Sequence, residues 1–264
     1  MDRVAHRVPN TPPGTTAYLL RDWCTSSEEA YLLGRVYHGT TSSSKKKWTE
    51  VSGRRLQNLG GVVHPKGLIP TPVPEWLKTQ MAKVRGSAGD LLPAPINHVL
   101  VNEYQPGDGI LPHQDGNAYY PAVAIVSLGC DAVMRFAPRR DETEKETEKS
   151  NETKTSNDDG SVSRGKFGVF LPRRSLLVFD GVLYERYLHG IDAVREDVID
   201  ATVANRGEFF AANDSSTIDG QSDEDVAAAN KKVDAFPTLR RDGVRVSMTF
   251  RNVRVVRAAL RLFG

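Results

Sequence analysis

The chain is poor in cysteine. Of its 264 residues only Cys24 and Cys130 carry a thiol, which excludes a disulfide framework and sets the expectation of a reducing compartment. No apolar run approaches the roughly 20 residues of a membrane-spanning helix. The first residues, M-D-R-V-A-H-R-V-P-N, lack the apolar core of a signal peptide. Together these absences lead us to expect a protein inside the cell and away from membranes. No segment repeats at a fixed period, so a solenoid is excluded. Net charge is nearly absent too, at +2. Any affinity for a polyanion must therefore come from a local patch.

What is present is an ordinary globular composition, 39% hydrophobic and 26% charged, enough for one domain with a sizeable core. Residues 1–16 read as a flexible arm punctuated by Pro9, Pro12, Pro13 and Gly14. Trp23 to His38 has helical spacing, with Ser26 and Glu29 placed as a capping box. A second helix is expected from Pro74 to about Val84, with Trp76, Leu77 and Met81 on its core face. Strand-like runs follow at 98–104, 121–129, 132–138, 166–171, 175–180, 184–191 and 243–256. Two stretches, near 139–163 and 200–235, are acidic and almost without apolar residues, and are expected to be disordered insertions, the second partly helical around 226–233. Residues 17–96 then form N-terminal helices and a lid, and residues 97–256 a strand-rich core. The class is α+β, and the strands suit a double-sheet jelly roll.

Three patterns carry chemistry. After the turn Pro106-Gly107-Asp108-Gly109 the chain delivers His113 and Asp115. In extended backbone, residues two apart share a face, so an imidazole and a carboxylate converge. Alone, the pair is as easily a strand-end histidine beside a turn aspartate. His189, followed by Gly190, ends an aromatic-rich run, and a neutral imidazole there is either structural or a metal ligand. The final strand alternates Val246, Met248 and Phe250 with Arg245, Ser247, Thr249 and Arg251. That alternation fits an exposed sheet, or two arginines poised to fork onto carboxylates. A fourth stretch, Arg35 to Gln57, holds six Lys/Arg against one Glu around Trp48. It suits either a solvated hairpin or a nucleic-acid contact.

In order, the runs N-E-Y-Q-P-G at 102–107, H-Q-D at 113–115, Y-L-H-G-I at 187–191 and R-V-S-M-T-F-R at 245–251 resemble the AlkB-like branch of the iron(II)/2-oxoglutarate dioxygenases. The segments W-T-E-V-S-G-R-R-L-Q-N-L-G-G at 48–61 and D-G-N-A-Y-Y-P-A-V at 115–123 are most similar to the AlkB homologue 6 subgroup. The resemblance implies a double-stranded β-helix (jelly-roll) core with the N-terminal helices packed on one sheet. It implies Fe(II), 2-oxoglutarate as cosubstrate, and O2. His113, Asp115 and His189 are then the iron ligands. Arg245, helped by Tyr104, meets the far carboxylate of 2-oxoglutarate, and Arg251 with Asn102 the carboxylate beside the keto group. Ser247 stands where many relatives have Asn, and Thr249 supports the strand. The implied reaction is oxidative demethylation of alkylated nucleobases in single-stranded or flipped-base nucleic acid. Lys45, Lys46, Lys47, Trp48, Arg54, Arg55, Tyr119 and Tyr120 are the expected substrate contacts. The alternatives are a protein side-chain oxygenase, or a nucleic-acid- or protein-binding module on the same scaffold. The expected form is a monomer in cytoplasm and nucleus.

Overall fold

The computed structural model describes residues 1–39, 48–139, 165–214 and 236–257. Lys45, Lys46, Lys47 and most of the two acidic stretches, including 226–233, lie outside the described residues.

The elements in chain order begin with β1 (Ala17–Leu20), α1 (Ser26–His38), β2 (Thr49–Val51), β3 (Arg54–Leu59), β4 (Gly61–His64) and β5 (Gly67–Pro70). Next come α2 (Glu75–Ala88), β6 (His98–Tyr104), β7 (Ile110–His113), β8 (Ala122–Leu128) and β9 (Ala132–Pro138). The rest are β10 (Phe167–Leu171), β11 (Leu176–Asp180), α3 (Gly181–Arg186), β12 (Tyr187–Ile191), β13 (Glu196–Val198), α4 (Arg206–Asp214), β14 (Thr238–Arg240) and β15 (Arg245–Arg251).

A seven-stranded antiparallel sheet, ordered β1-β11-β8-β15-β6-β3-β2, faces a four-stranded one, ordered β10-β9-β12-β7. This is the jelly-roll core. One apolar cluster joins the sheets: Val123, Ile125, Leu177 and Phe179 of the large sheet meet Met134, Phe136, Phe167, Val169 and Ile191 of the small one. A second cluster covers the outer face of the large sheet. There Leu32 and Val36 of α1, and Trp76, Leu77, Met81 and Val84 of α2, pack on Val99, Val101, Val126, Val178, Val246, Met248 and Phe250. Each fully buried side chain of this kind contributes about 1.5–3 kcal/mol.

The alternation of β15 now has a physical reading. Its apolar side faces the helices, and its polar side faces the space between the sheets. All seven residues of the strand are buried, so the arginines are interior groups and the exposed-sheet alternative is set aside.

Four expectations need correction. The capping box sits one residue earlier: Glu28 N donates to Thr25 Oγ1 at 3.2 Å, and Thr25 N to Glu28 Oε2 at 2.8 Å. Glu29 is instead a buried anchor, accepting from Gly129 N at 2.9 Å and from Arg173 Nη2 at 2.8 Å. Residues 1–16 contain no named element but are not a free arm. Val8 and Thr15 are buried, and Leu19 N donates to His6 O at 2.7 Å, which ties the segment along β1. The helices are not limited to residues 17–96, since α3 and α4 interrupt the strand-rich part. Finally, residues 200–214 are folded. Ile199, Val203 and Phe209 cover Val133 and Phe170 on the outer face of the small sheet. Asn205 fastens them by accepting from Phe170 N at 2.8 Å and donating to Phe170 O at 2.9 Å. The polar composition concealed this because three scattered apolar side chains suffice to cover one sheet face.

Candidate active site

β7 and β12 pair antiparallel, and His113 lies directly opposite His189. Their rings are 4.5 Å apart between centroids. Asp115 follows two residues after His113, and ligand atoms of all three side chains lie within 4.8 Å of one another. Gly190 is needed here: a Cβ would come within 2.8 Å of Ile110 O on the paired strand. His113 Nδ1 lies 3.0 Å from Leu111 O. A carbonyl only accepts, so Nδ1 carries the proton and Nε2 keeps its lone pair. Burial holds His113 below the usual imidazole range and pushes His189 down to about 4. Both rings are therefore neutral at physiological pH, the form that ligates a metal.

Asp115 shows how the trio is tensioned. Its Oδ1 pairs with Arg251 Nη1 at 3.2 Å, while its Oδ2 is buried with no hydrogen-bond partner. A buried carboxylate oxygen without a partner is costly, and a cation held between two imidazoles satisfies it. Two His and one carboxylate on one face fit the donor set of non-haem Fe(II).

The cavity around this trio measures about 680 Å3. Its wall includes Asn102, Tyr104, Arg245, Ser247, Thr249 and Arg251, with Leu100, Ile125 and Met134 as apolar surface. Arg245 is 3% exposed. It donates from Nη2 to Ser127 Oγ at 3.0 Å and lies over the Tyr104 ring at 5.5 Å. Its Nε is buried without a partner, and it pairs with no carboxylate among the described residues. A buried guanidinium left in this state is a seat for an anion. Arg251 lies 4.7 Å over the Tyr119 ring while it holds Asp115.

The pair Arg54-Arg55 splits across the sheet. Arg54 enters the cavity and donates from Nε to Asn102 Oδ1 at 3.0 Å. Guanidinium has no acceptor, so the Asn102 amide must turn its oxygen to Arg54 and its NH2 elsewhere. Arg55 points the other way. It forks onto buried Glu103 at 2.7 and 3.0 Å and lies 4.5 Å over the Trp48 ring. Trp48 in turn packs on the helix-side core beside Tyr37. Neither Arg55 nor Trp48 lines the cavity. The physical reason is strand alternation: neighbours in β3 face opposite sides. Tyr119 is 8% exposed and forms a wall behind Arg251, whereas Tyr120 is exposed and lies beneath Arg254. Neither tyrosine lines the cavity. Sequence reading missed Ser127 and Leu111. Leu111 is 85% exposed at the cavity rim, two residues before His113 on the same strand, and nothing in the adjacent apolar pair Ile110-Leu111 signalled it.

The cavity is bridged at its mouth. Gly109 N donates to Gly53 O at 3.2 Å, and a Cβ on Gly53, at φ +71°, would come within 2.6 Å of Gly109 O. Glycine there lets the β2–β3 turn close on the β6–β7 turn.

Comparison with known proteins agrees with this arrangement. The family model described as the 2OG-Fe(II) oxygenase superfamily matches residues 18–251. The zebrafish (Danio rerio) protein named "Probable RNA/DNA demethylase ALKBH6" is 37% identical over 205 residues, covering 78% of this chain and 80% of that one. The Xenopus tropicalis protein named "tRNA (carboxymethyluridine(34)-5-O)-methyltransferase alkbh8" is 26% identical over 256 residues, covering 93% of this chain but only 32% of its own length. A solved structure, that of OsALKBH1, superposes with a TM-score of 0.47 at 17% identity, over 89% of this chain and 97% of that one. With a family match across the strands that build the site, and a relative of more than one-third identity across most of both chains, this chain belongs to the 2OG-Fe(II) oxygenase superfamily, in its AlkB-like branch.

Proposed function

We propose that this dioxygenase demethylates alkylated nucleobases in RNA or DNA. In this reading His113, Asp115 and His189 hold Fe(II). Arg245, with Tyr104 and Ser127, takes the far carboxylate of 2-oxoglutarate. Asn102 and Arg251 serve the carboxylate beside the keto group, and Ser247 and Thr249 complete that wall. The observation that carries the reading is the pairing of a buried Arg245 that has no acid partner with a His-Asp-His trio in one cavity.

When bound, iron, 2-oxoglutarate and O2 supply the oxidation: the cosubstrate leaves as succinate and CO2, a substrate N-methyl becomes N-hydroxymethyl, and that group releases formaldehyde. The chain's own residues supply orientation and dryness. Arg251 restrains Asp115 Oδ1 and leaves Oδ2 for the metal. The Leu111 backbone carbonyl accepts from His113 Nδ1 and so fixes the tautomer that leaves Nε2 as the ligand atom. Arg54 sets the Asn102 amide so that its NH2 is available as a donor. Leu100, Ile125 and Met134 keep the cavity wall apolar.

The substrate class is supported by the zebrafish relative's name and by the size of the cavity, which admits a flipped base beside the cosubstrate. The test is succinate formation by the iron-loaded protein with and without methylated single-stranded RNA or DNA, read with a mass-spectrometric screen of modified nucleosides. Wild type should consume at least one N-methylated nucleoside, and His113→Ala none. Succinate formation stimulated only by a protein or peptide would reject the nucleobase.

A further inference from the structure

Beyond the catalytic cavity the structure holds a second groove, of about 520 Å3. Three distant segments form it: the β4–β5 hairpin with His64, Pro65 and Lys66, the loop Gly116–Ala118, and the tail at Arg254 and Val255. One of its walls begins at Gly116, the residue after Asp115 in the chain. Its cations are held in fixed relation. Arg254 N donates to Ala118 O at 2.9 Å, Leu68 N to Val255 O at 2.8 Å, and Arg257 N to Leu68 O at 2.9 Å. Beneath it Leu68, Tyr119 and Val253 form a small buried cluster.

The chemistry of the groove is one-sided. None of its lining residues is acidic. In residues 61–70, 114–121 and 251–257 the one acid is Asp115, which is buried and already paired with Arg251. Lys66, Arg254 and Arg257 are exposed and make no ion pair among the described residues. Arg254 is held at 5.3 Å over the Tyr120 ring, which fixes its direction without neutralising it. The floor, by contrast, includes Val63, Pro65, Ala118 and the largely exposed Val255. Cations along the wall and apolar surface below are the two features that single-stranded nucleic acid uses, one for phosphate and one for sugar and base.

We propose that this groove is a binding site for the phosphate backbone of a single strand, holding the nucleotides next to the one in the catalytic cavity. The proposal rests on the nucleic-acid reading above and adds to it the path of the strand. It assigns Lys66 and Arg254 as phosphate contacts and Arg257 as a flanking cation, with no part in the chemistry at iron. The cations come from two segments far apart in sequence, the β4–β5 hairpin and the tail at 254–257, so no single basic run announces them.

The test is anisotropy of a short fluorescein-labelled single-stranded RNA, titrated with the full chain at several salt concentrations. Each phosphate contact to a single strand contributes about 0.7 to the log–log salt slope. The double variant K66Q/R254Q should lower the slope by about 1.4 and bind roughly 10- to 30-fold more weakly at 0.1 M salt. The charge-preserving K66R/R254K should stay near wild type. Both should keep the wild-type melting temperature and the wild-type affinity for 2-oxoglutarate, because neither residue lines the catalytic cavity. Wild-type RNA affinity and slope in K66Q/R254Q would overturn the groove and leave the nucleobase reading standing. Wild-type protein that binds no single strand would overturn both. Displacement of the RNA by polyglutamate at equal charge would show a seat for acidic protein, and would also overturn the proposal.

Discussion

Arg241 and Arg245 stand four residues apart and are about equally buried, 5% and 3% exposed, yet their surroundings are opposite. Arg241 is saturated. Its Nε and Nη2 fork onto Asp197 at 2.6 and 2.5 Å, and its Nη1 donates to Asp192 O at 2.7 Å. Asp197 Oδ2 also accepts from Val133 N at 3.1 Å. Arg245 has the Ser127 hydroxyl and an aromatic face, and no acid. A buried ion whose bonds are closed within the fold is structural. A buried ion left open toward a cavity is held in place for a ligand. The first joins β13, β14 and β9 around the turns at 108 and 192. The second faces the iron trio.

That comparison can be broken at several points. The largest effect should come from Arg241→Leu, which strands Asp197 as a buried unpaired charge. We expect a loss of about 3–5 kcal/mol, read as a melting temperature lower by roughly 10 °C, with unchanged 2-oxoglutarate affinity in the fraction that folds. A variant as stable as wild type would show that the ion pair is not what fastens this edge.

His98 probes the same accounting with a titratable group. It is 1% exposed, bonded through Nε2 to Asn58 Oδ1 at 3.1 Å, and burial pushes it down to about 4. The folded value lies below the ordinary imidazole value, so its contribution is complete above pH 6.5 and is lost as pH falls toward 4. By pH 4 the loss is about 3 kcal/mol. Denaturant titrations from pH 7.5 to 4.5 should show that decline in wild type and a shallower one in His98→Gln. Parallel declines would mean that other groups carry the acid sensitivity.

A smaller effect separates Arg54 from Arg55. Arg54→Ala frees the Asn102 amide and should weaken 2-oxoglutarate binding by roughly 3- to 10-fold, the worth of one hydrogen bond, at constant melting temperature. Arg55→Ala leaves Glu103 buried without its fork. It should lower the melting temperature and leave cosubstrate affinity alone. If the two variants behave alike, the split across the sheet has no functional meaning.

These contrasts mark where sequence was readable and where it was not. The iron trio was legible because His113 and Asp115 are two apart where β7 ends, and because His189-Gly190 and the β15 alternation followed in family order. The layers were legible from the same alternation. The side to which Arg54 and Arg55 point was not, since two adjacent arginines look alike until β3 is registered against β6. The ordered part of the second acidic stretch was hidden because Ile199, Val203 and Phe209 are too sparse, four and six residues apart among polar neighbours, to mark one element. The groove at Lys66 and Arg254 was hidden for a related reason: its charges meet only through the hydrogen bonds that lace the tail to the β4–β5 hairpin.

The central claim is that the open buried arginine, and not its saturated neighbour, is the cosubstrate's seat. The most direct measurement is calorimetric titration of 2-oxoglutarate into Mn(II)-loaded wild type, Arg245→Ala and Arg241→Leu. Charge-assisted bonds worth about 1.5–3 kcal/mol predict a 10- to 100-fold weaker affinity in Arg245→Ala, with its unliganded melting temperature held, and wild-type affinity in folded Arg241→Leu. Wild-type affinity in Arg245→Ala would contradict the account.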